Sequence, residues 1–150
     1  KPSHNIVVRN NALYGVGMQI GYNAPYNENC EVRDNVVVNG SLSIVDYKEA
    51  VNEGNLVVGQ KAKRPAEPRV LFRPNRYDPT RAHLAVFNFA KAKTVEVDTA
   101  GFLKDGDAYA LKDPKDFYGP PVHAGACKGG KITVPMAREF AVFVLRKTAS

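Results

Sequence analysis

Tryptophan is absent from this 150-residue chain, and with it the ring that most often forms ligand-stacking platforms. Cysteine occurs twice, at Cys30 and Cys127. Two thiols give no disulfide framework, and whether they pair is left open. No stretch approaches the roughly 18 consecutive apolar residues of a membrane-spanning helix, so no membrane partner is expected. No segment keeps a helical period over three turns, which leaves strands as the regular structure. Also missing are the Gly-x-Ser-x-Gly elbow of serine hydrolases, any helix-turn-helix or zinc-finger pattern, and the helix that a phosphate-binding loop would open. Gly15-Val-Gly17 and Gly129-Gly130 are therefore turn glycines. The opening residues carry no signal-peptide pattern. What is present is 44% hydrophobic and 24% charged, enough apolar material for one ordinary core or two small ones.

The first 60 residues contain a repeat. Laying His4–Ile20 over Glu28–Ile44, an offset of 24, pairs Asn5 with Asn29, Val8 with Val32, Arg9 with Arg33, Asn11 with Asn35 and Ile20 with Ile44. Ile6 with Cys30, Leu13 with Val37, Met18 with Leu42 and Asn10 with Asp34 keep their character. A third copy, Glu53-Gly-Asn-Leu-Val-Val58, matches Arg33-Asp-Asn-Val-Val-Val38 at an offset of 20, which requires a shortened turn around Asp46 to Asn52. A period in the low twenties, rich in Val, Ile, Asn and Gly, is that of a β-solenoid coil. The recurring Asn is read as a corner residue, tolerant of the left-handed conformation and able to hydrogen-bond its stacked equivalents. Cys30, opposite Ile6, should be a buried free thiol. Because the chain enters its first coil almost at once, the expectation is the terminal part of something longer, or an open coil edge that self-associates into a homo-oligomer.

Charge divides the chain. Residues 1–60 hold four Lys/Arg against six acids, a net of −2, and residues 61–150 hold 17 against nine, a net of +8, summing to +6. In the second part the basic residues are dispersed among acids, apart from Lys61-Ala-Lys-Arg64. This reads as a solvated basic surface with loose attraction to acidic polysaccharide, and no nucleic-acid partner is expected.

Residues 61–69, with two prolines and no apolar period, read as a linker between terminal coils (1–60) and a second domain (70–150). Beyond it the pattern predicts antiparallel strands at Val70–Arg73, His83–Phe89, Thr94–Asp98, Ala108–Lys112, Val122–Ala126, Lys131–Val134 and Phe140–Arg146. Turn signals such as Asp78-Pro79, Lys104-Asp-Gly-Asp107 and Lys128-Gly-Gly130 separate them. Seven short strands in some 80 residues suggest a β-sandwich.

The stretch Phe72-Arg-Pro-Asn-Arg-Tyr-Asp-Pro-Thr-Arg-Ala-His-Leu-Ala-Val-Phe-Asn-Phe89 resembles the start of the C-terminal β-sandwich of bacterial right-handed parallel β-helix proteins. Gly106-Asp-Ala-Tyr-Ala-Leu-Lys-Asp113, Phe117-Tyr-Gly-Pro-Pro-Val122 and Glu139-Phe-Ala-Val-Phe-Val-Leu145 resemble it too. The order of coils, linker and sandwich is similar across essentially the whole chain. The resemblance implies an all-β fold, the last two to three coils of a right-handed parallel β-helix followed by a small antiparallel β-sandwich. It also implies the tail of a pectate-lyase-like or glycoside-hydrolase-like protein, secreted or periplasmic, with polysaccharide or oligosaccharide as partner. One fold hosts many reactions, so the resemblance does not choose among them.

Lyases of this type combine a Ca²⁺ site with an Arg or Lys base. Arg9 and Arg33 would stack on one face beside Glu31 and Asp34, but a guanidinium rarely gives up its proton and these acids are a thin calcium cage. No cofactor and no metal site are thus expected, calcium being a weakly supported alternative, and Arg9 and Arg33 read better as exposed rungs paired with acids. The Asn-Thr-Asp and Asp-Asp motifs of polygalacturonases are missing. The turn acids Asp105, Asp107, Asp113 and Asp116 suit backbone hydrogen bonding better than paired catalysis. His4, His83 and His123 lack metal-ligand spacing. Tyr14, Tyr22 and Tyr26 cluster in the first coil and, with Arg9 and Arg33, are the candidate carbohydrate-binding residues; alternatively Tyr14 and Tyr22 cover the end of the stack. The leading functional expectation is an accessory region, capping or weakly glycan-binding, of a secreted carbohydrate-active protein. The alternatives are a minimal polysaccharide-degrading enzyme with its site at the junction of coils and sandwich, and a structural self-assembly module.

Overall fold

The computed structural model describes residues 2–22 and 27–148, and the chain is all-β. It divides into two compact units, Lys1–Arg64 and Pro65–Ser150. Among the described residues there is no α-helix, and so none long and apolar enough to cross a membrane.

In the first unit the strands are β1 (Ile6–Arg9), β2 (Ala12–Tyr14), β3 (Met18–Ile20), β4 (Asn27–Arg33), β5 (Val36–Val38), β6 (Leu42–Ile44), β7 (Tyr47–Glu53) and β8 (Leu56–Val58). They form three small parallel sheets, ordered β1-β4-β7, β2-β5-β8 and β3-β6. The registers follow the repeat: Ile6 faces Cys30, Leu13 faces Val37, and Ile20 faces Ile44. The next pass keeps the offset of 20, with Arg33 facing Glu53 and Val36 facing Leu56. The shortening falls at Val45–Asp46, at the leading edge of the expected range. Six residues separate Ile20 from Asn27 and only two separate Ile44 from Tyr47, which removes four from the period. Asp46 takes a left-handed conformation there, with φ of 54°.

Asn5 combines the two roles the sequence suggested, with φ of 52° and hydrogen bonds to its stacked equivalent Asn29, whereas the next corner divides them between neighbours. Asn10, Asp34 and Gly54, at successive equivalents of one corner, have φ of 58°, 53° and 66° and make the turn. The next residues, Asn11, Asn35 and Asn55, form a ladder. Asn11 donates its backbone N–H (3.0 Å) and Nδ2 (2.9 Å) to Asn35 Oδ1. Asn35 in turn donates its N–H (2.9 Å) and Nδ2 (2.8 Å) to Asn55 Oδ1. The remaining amide hydrogens cross back, Asn35 Nδ2 to Val8 O (3.0 Å) and Asn55 Nδ2 to Val32 O (2.8 Å). Asn35 is fully buried, and its polar side chain is tolerable there because every hydrogen-bonding group is matched. Ile20, Cys30 and Val32 centre the core inside the turns, with Ile6, Val8, Met18 and Leu42 against them. Gly40 lets two passes approach, since a Cβ there would run into the Val16 carbonyl.

The second unit contains β9 (Arg69–Pro74), β10 (Arg81–Phe87), β11 (Thr94–Asp98), β12 (Ala108–Lys112), β13 (His123–Ala126), β14 (Lys131–Pro135) and β15 (Phe140–Lys147), with a 3₁₀ turn at Pro114–Asp116. All pairings are antiparallel: a five-stranded sheet β13-β12-β15-β10-β9 and a two-stranded sheet β11-β14. Both sheets contribute to one core. Val95, Val97, Ile132 and Val134 come from the smaller sheet; Leu84, Leu111, Phe143 and Leu145 come from the larger. β10 stops at Phe87, short of the expected Phe89, because Asn88 is committed to a turn. Its Oδ1 accepts from Ala92 N (3.1 Å) and its Nδ2 donates to Ala92 O (2.8 Å). Cys127 lies buried in this core and Cys30 in the first unit's, both as free thiols.

Replacing Asn35 by Ala strips a buried ladder of its central member and leaves several groups without partners. We expect a loss of roughly 3 kcal/mol. Asn29→Ala, in the exposed pair with Asn5, should cost less than about 1 kcal/mol. Urea unfolding followed by circular dichroism checks both values.

Candidate functional site

The first pass of the first unit borders an open groove of about 840 Å³. Ile6, Val8, Leu13, Met18 and Ile20 line it with aliphatic surface, and Asn11, Gln19 and Tyr22 supply polar atoms. These positions head the repeat, so their side chains have a following pass on one side and the groove on the other. Asn11 is the exposed end of the ladder: it donates to Asn35 and to Arg9 O (3.2 Å).

The residues proposed from sequence as carbohydrate-binding do not come together in one place. Tyr22 lines the groove and is 72% exposed, a ring free for stacking. Tyr14 ends β2 and is only 36% exposed, outside the groove lining. Tyr26 lies outside the described residues. Arg9 and Arg33 do stack, as adjacent partners in the β1–β4 register. Arg33 is engaged by two carboxylates, Glu53 and Glu31, the latter at 3.3 Å. The side-chain hydrogen bonds from Glu53 and then Glu31 hold its guanidinium more firmly protonated than usual. That is the reverse of what a proton-abstracting base needs, and it makes Arg33 a structural rung.

Asp107, Asp113 and Asp116 bond the backbone of their own turns, and Asp105 bonds that of a distant one. Asp113 Oδ1 accepts from Lys115 N (2.9 Å), Asp116 Oδ1 from Gly119 N (3.1 Å) and Asp107 Oδ2 from Lys104 N (2.9 Å). Asp105 Oδ1 reaches Gly129 N at 2.7 Å. Among the described residues no three His, Cys, Asp or Glu side chains converge. The lining residues Ile6, Leu13 and Met18 were not legible as site residues, because apolar repeat positions read as core; the one signal was their place in the first copy of the repeat.

The structure defines a class: an all-β chain with an Asn-laddered parallel unit followed by an antiparallel one. Compared with protein-family models, curated proteins and solved structures, the chain has no match.

Beneath the groove, burial pushes the Cys30 thiol up. Burial, and then the neighbouring Cys30, push the Tyr47 phenol up as well. A raised folded-state pKa contributes stability that is complete below the unfolded value and lost as pH rises. Stability should therefore fall above about pH 8.5, the ordinary thiol value. Cys30→Val should flatten that first decline, as seen by thermal unfolding at stepped pH. Alkylation of Cys30 in the folded protein should be much slower than in urea.

Proposed function

We propose that this chain is an accessory region of a carbohydrate-active protein of the parallel β-helix kind, with the second unit as a small β-sandwich. In this reading the stack caps or extends a longer solenoid and contacts glycan weakly. The observation that carries it is the in-register stack. Three passes repeat one corner, one Asn ladder and one apolar interior, the device by which a solenoid propagates. The resemblance of the second unit's segments to the sandwich appended to such helices supports the same reading. Tyr22, exposed at the groove, supplies the weak glycan contact.

A reading as a self-assembly module is favoured by a different observation. β1, β2 and β3 are the outermost strands of their sheets and border the aliphatic groove. In this reading a second chain adds its strands to those edges.

The reading is tested by incubating the folded protein with plant and algal polysaccharides, with and without calcium. We expect no release of reducing ends and no unsaturated-uronate absorbance, but weak retention of at least one glycan, reduced severalfold by Tyr22→Ala. Product formation would overturn the accessory role. Light scattering after size exclusion addresses assembly: a dimer that persists at low micromolar concentration supports the module, and a monomer supports the accessory region.

A further inference from the structure

The second unit's registers gather cationic residues that the sequence disperses. Residues facing each other across a ladder point to the same side of a sheet. Leu84, Phe143 and Leu145 enter the core, so the residues alternating with them form the outer face of the five-stranded sheet. On that face Arg81 lies directly across from Arg146. One step along the strands, His83 faces Arg73 on one side and Val144 on the other, and Val144 faces Lys112. Arg73, Arg81, His83, Lys112 and Arg146 thus occupy two adjacent rows. Neighbouring positions are about 4.8 Å apart across strands and about 6.8 Å apart along them.

None of the five strands of this sheet contains an Asp or Glu. Arg73, His83 and Arg146 are exposed, and Arg81 and Lys112 are half-buried. Asp78 approaches Arg81, with a carboxylate oxygen 3.7 Å from Arg81 Nε. It is already engaged, its Oδ1 accepting from Thr80 N (3.0 Å) and Thr80 Oγ1 (2.6 Å). Those Thr80 hydrogen bonds, and then Arg81 and Arg146, hold Asp78 below the usual carboxylate range. One carboxylate shared between the Arg81 and Arg146 guanidinium groups leaves that pair with net positive charge. Arg81 Nε is buried without a hydrogen-bond acceptor. A depression of about 430 Å³ is lined in part by Ala110, Lys112, Pro121 and Arg146. Like charges set directly opposite destabilise a sheet, and a bound polyanion reverses that effect.

We infer that the outer face of the five-stranded sheet binds an acidic polysaccharide, its guanidinium groups pairing with successive carboxylates of a uronic-acid chain. This rests on the glycan-associated reading above and names the substrate class and the surface. Arg forks match planar carboxylates in bidentate fashion. Val144 lies between His83 and Lys112, Ala110 beside Arg146, and Ala85 with Val142 in the next row. All four are aliphatic, so His83 is the single ring in the two cationic rows on which a nucleic-acid base could stack.

The test is affinity electrophoresis of the intact chain through polygalacturonate, a neutral glucan, and, as competitor, oligodeoxythymidylate. The variants are Arg146→Gln, Arg81→Gln combined with Arg146→Gln, and a control pair, Lys128→Gln with Lys131→Gln, at the β13–β14 turn. We expect salt-sensitive retardation in polygalacturonate, weakened roughly five- to tenfold by the double Arg variant and about twofold by Arg146→Gln, with the control pair unchanged. If the double variant does not fold, the exposed Arg146→Gln decides. Equal losses from the Arg and Lys pairs would mean diffuse charge and overturn the assignment. Tighter oligodeoxythymidylate binding with the same Arg dependence would replace the polysaccharide by nucleic acid. Glycan retardation indifferent to every variant overturns the face and leaves the glycan reading standing; no retardation by any glycan overturns both.

Discussion

Three stacked asparagines set the geometry of the first unit. Asn35, fully buried, accepts two hydrogen bonds from Asn11 and donates to Asn55 and to the Val8 carbonyl. A buried amide is tolerated only when its donors and acceptors are met, and here they are met only if each pass sits one strand spacing from the next in a single register. The ladder therefore excludes slipped pairings that an aliphatic interior would accept. Register in turn places Ile6 over Cys30 and Val8 over Val32, so the apolar core is a consequence of the polar spine.

The second unit is held differently. Its registers are fixed by alternation, with Leu84 opposite Phe143 and Phe72 and Leu111 opposite Leu145. A slip of one residue would turn each of these outward. The same alternation that sends the leucines inward sends Arg81, His83 and Arg146 outward together. Core formation and the cationic face are thus two sides of one register.

The ion pairs of the first unit and the charges of the second play opposite parts. Arg9 and Arg33 stack as like charges, and Glu31 and Glu53 pair with Arg33. Arg81 and Arg146 are also directly opposed, and Asp78 is the one carboxylate described beside them, already held by Thr80. The first arrangement is internally balanced and structural, whereas the second retains capacity for an outside anion.

Much of this was legible in the residues. The 24-residue offset specified which side chains stack, and the Val/Leu/Phe alternation after residue 69 located the strands, because both patterns are local periodicities of backbone geometry. The sequence reading of a left-handed Asn bonded along the stack holds at Asn5. It could not say that at Asn11 and Asn35 the preceding residue turns the corner while the Asn itself bonds along the stack. It placed Tyr14 and Tyr22 near each other along the chain, yet only Tyr22 lines the groove. Arg73, Arg81, Lys112 and Arg146 looked like scattered solvated charge, since they come from four strands whose order in the sheet is not their order in the chain. Sequence by itself determined the strands and the period. Only the tertiary structure decided which charges meet in the second unit, because its antiparallel strand order follows no repeat and so leaves no trace in the spacing of residues along the chain.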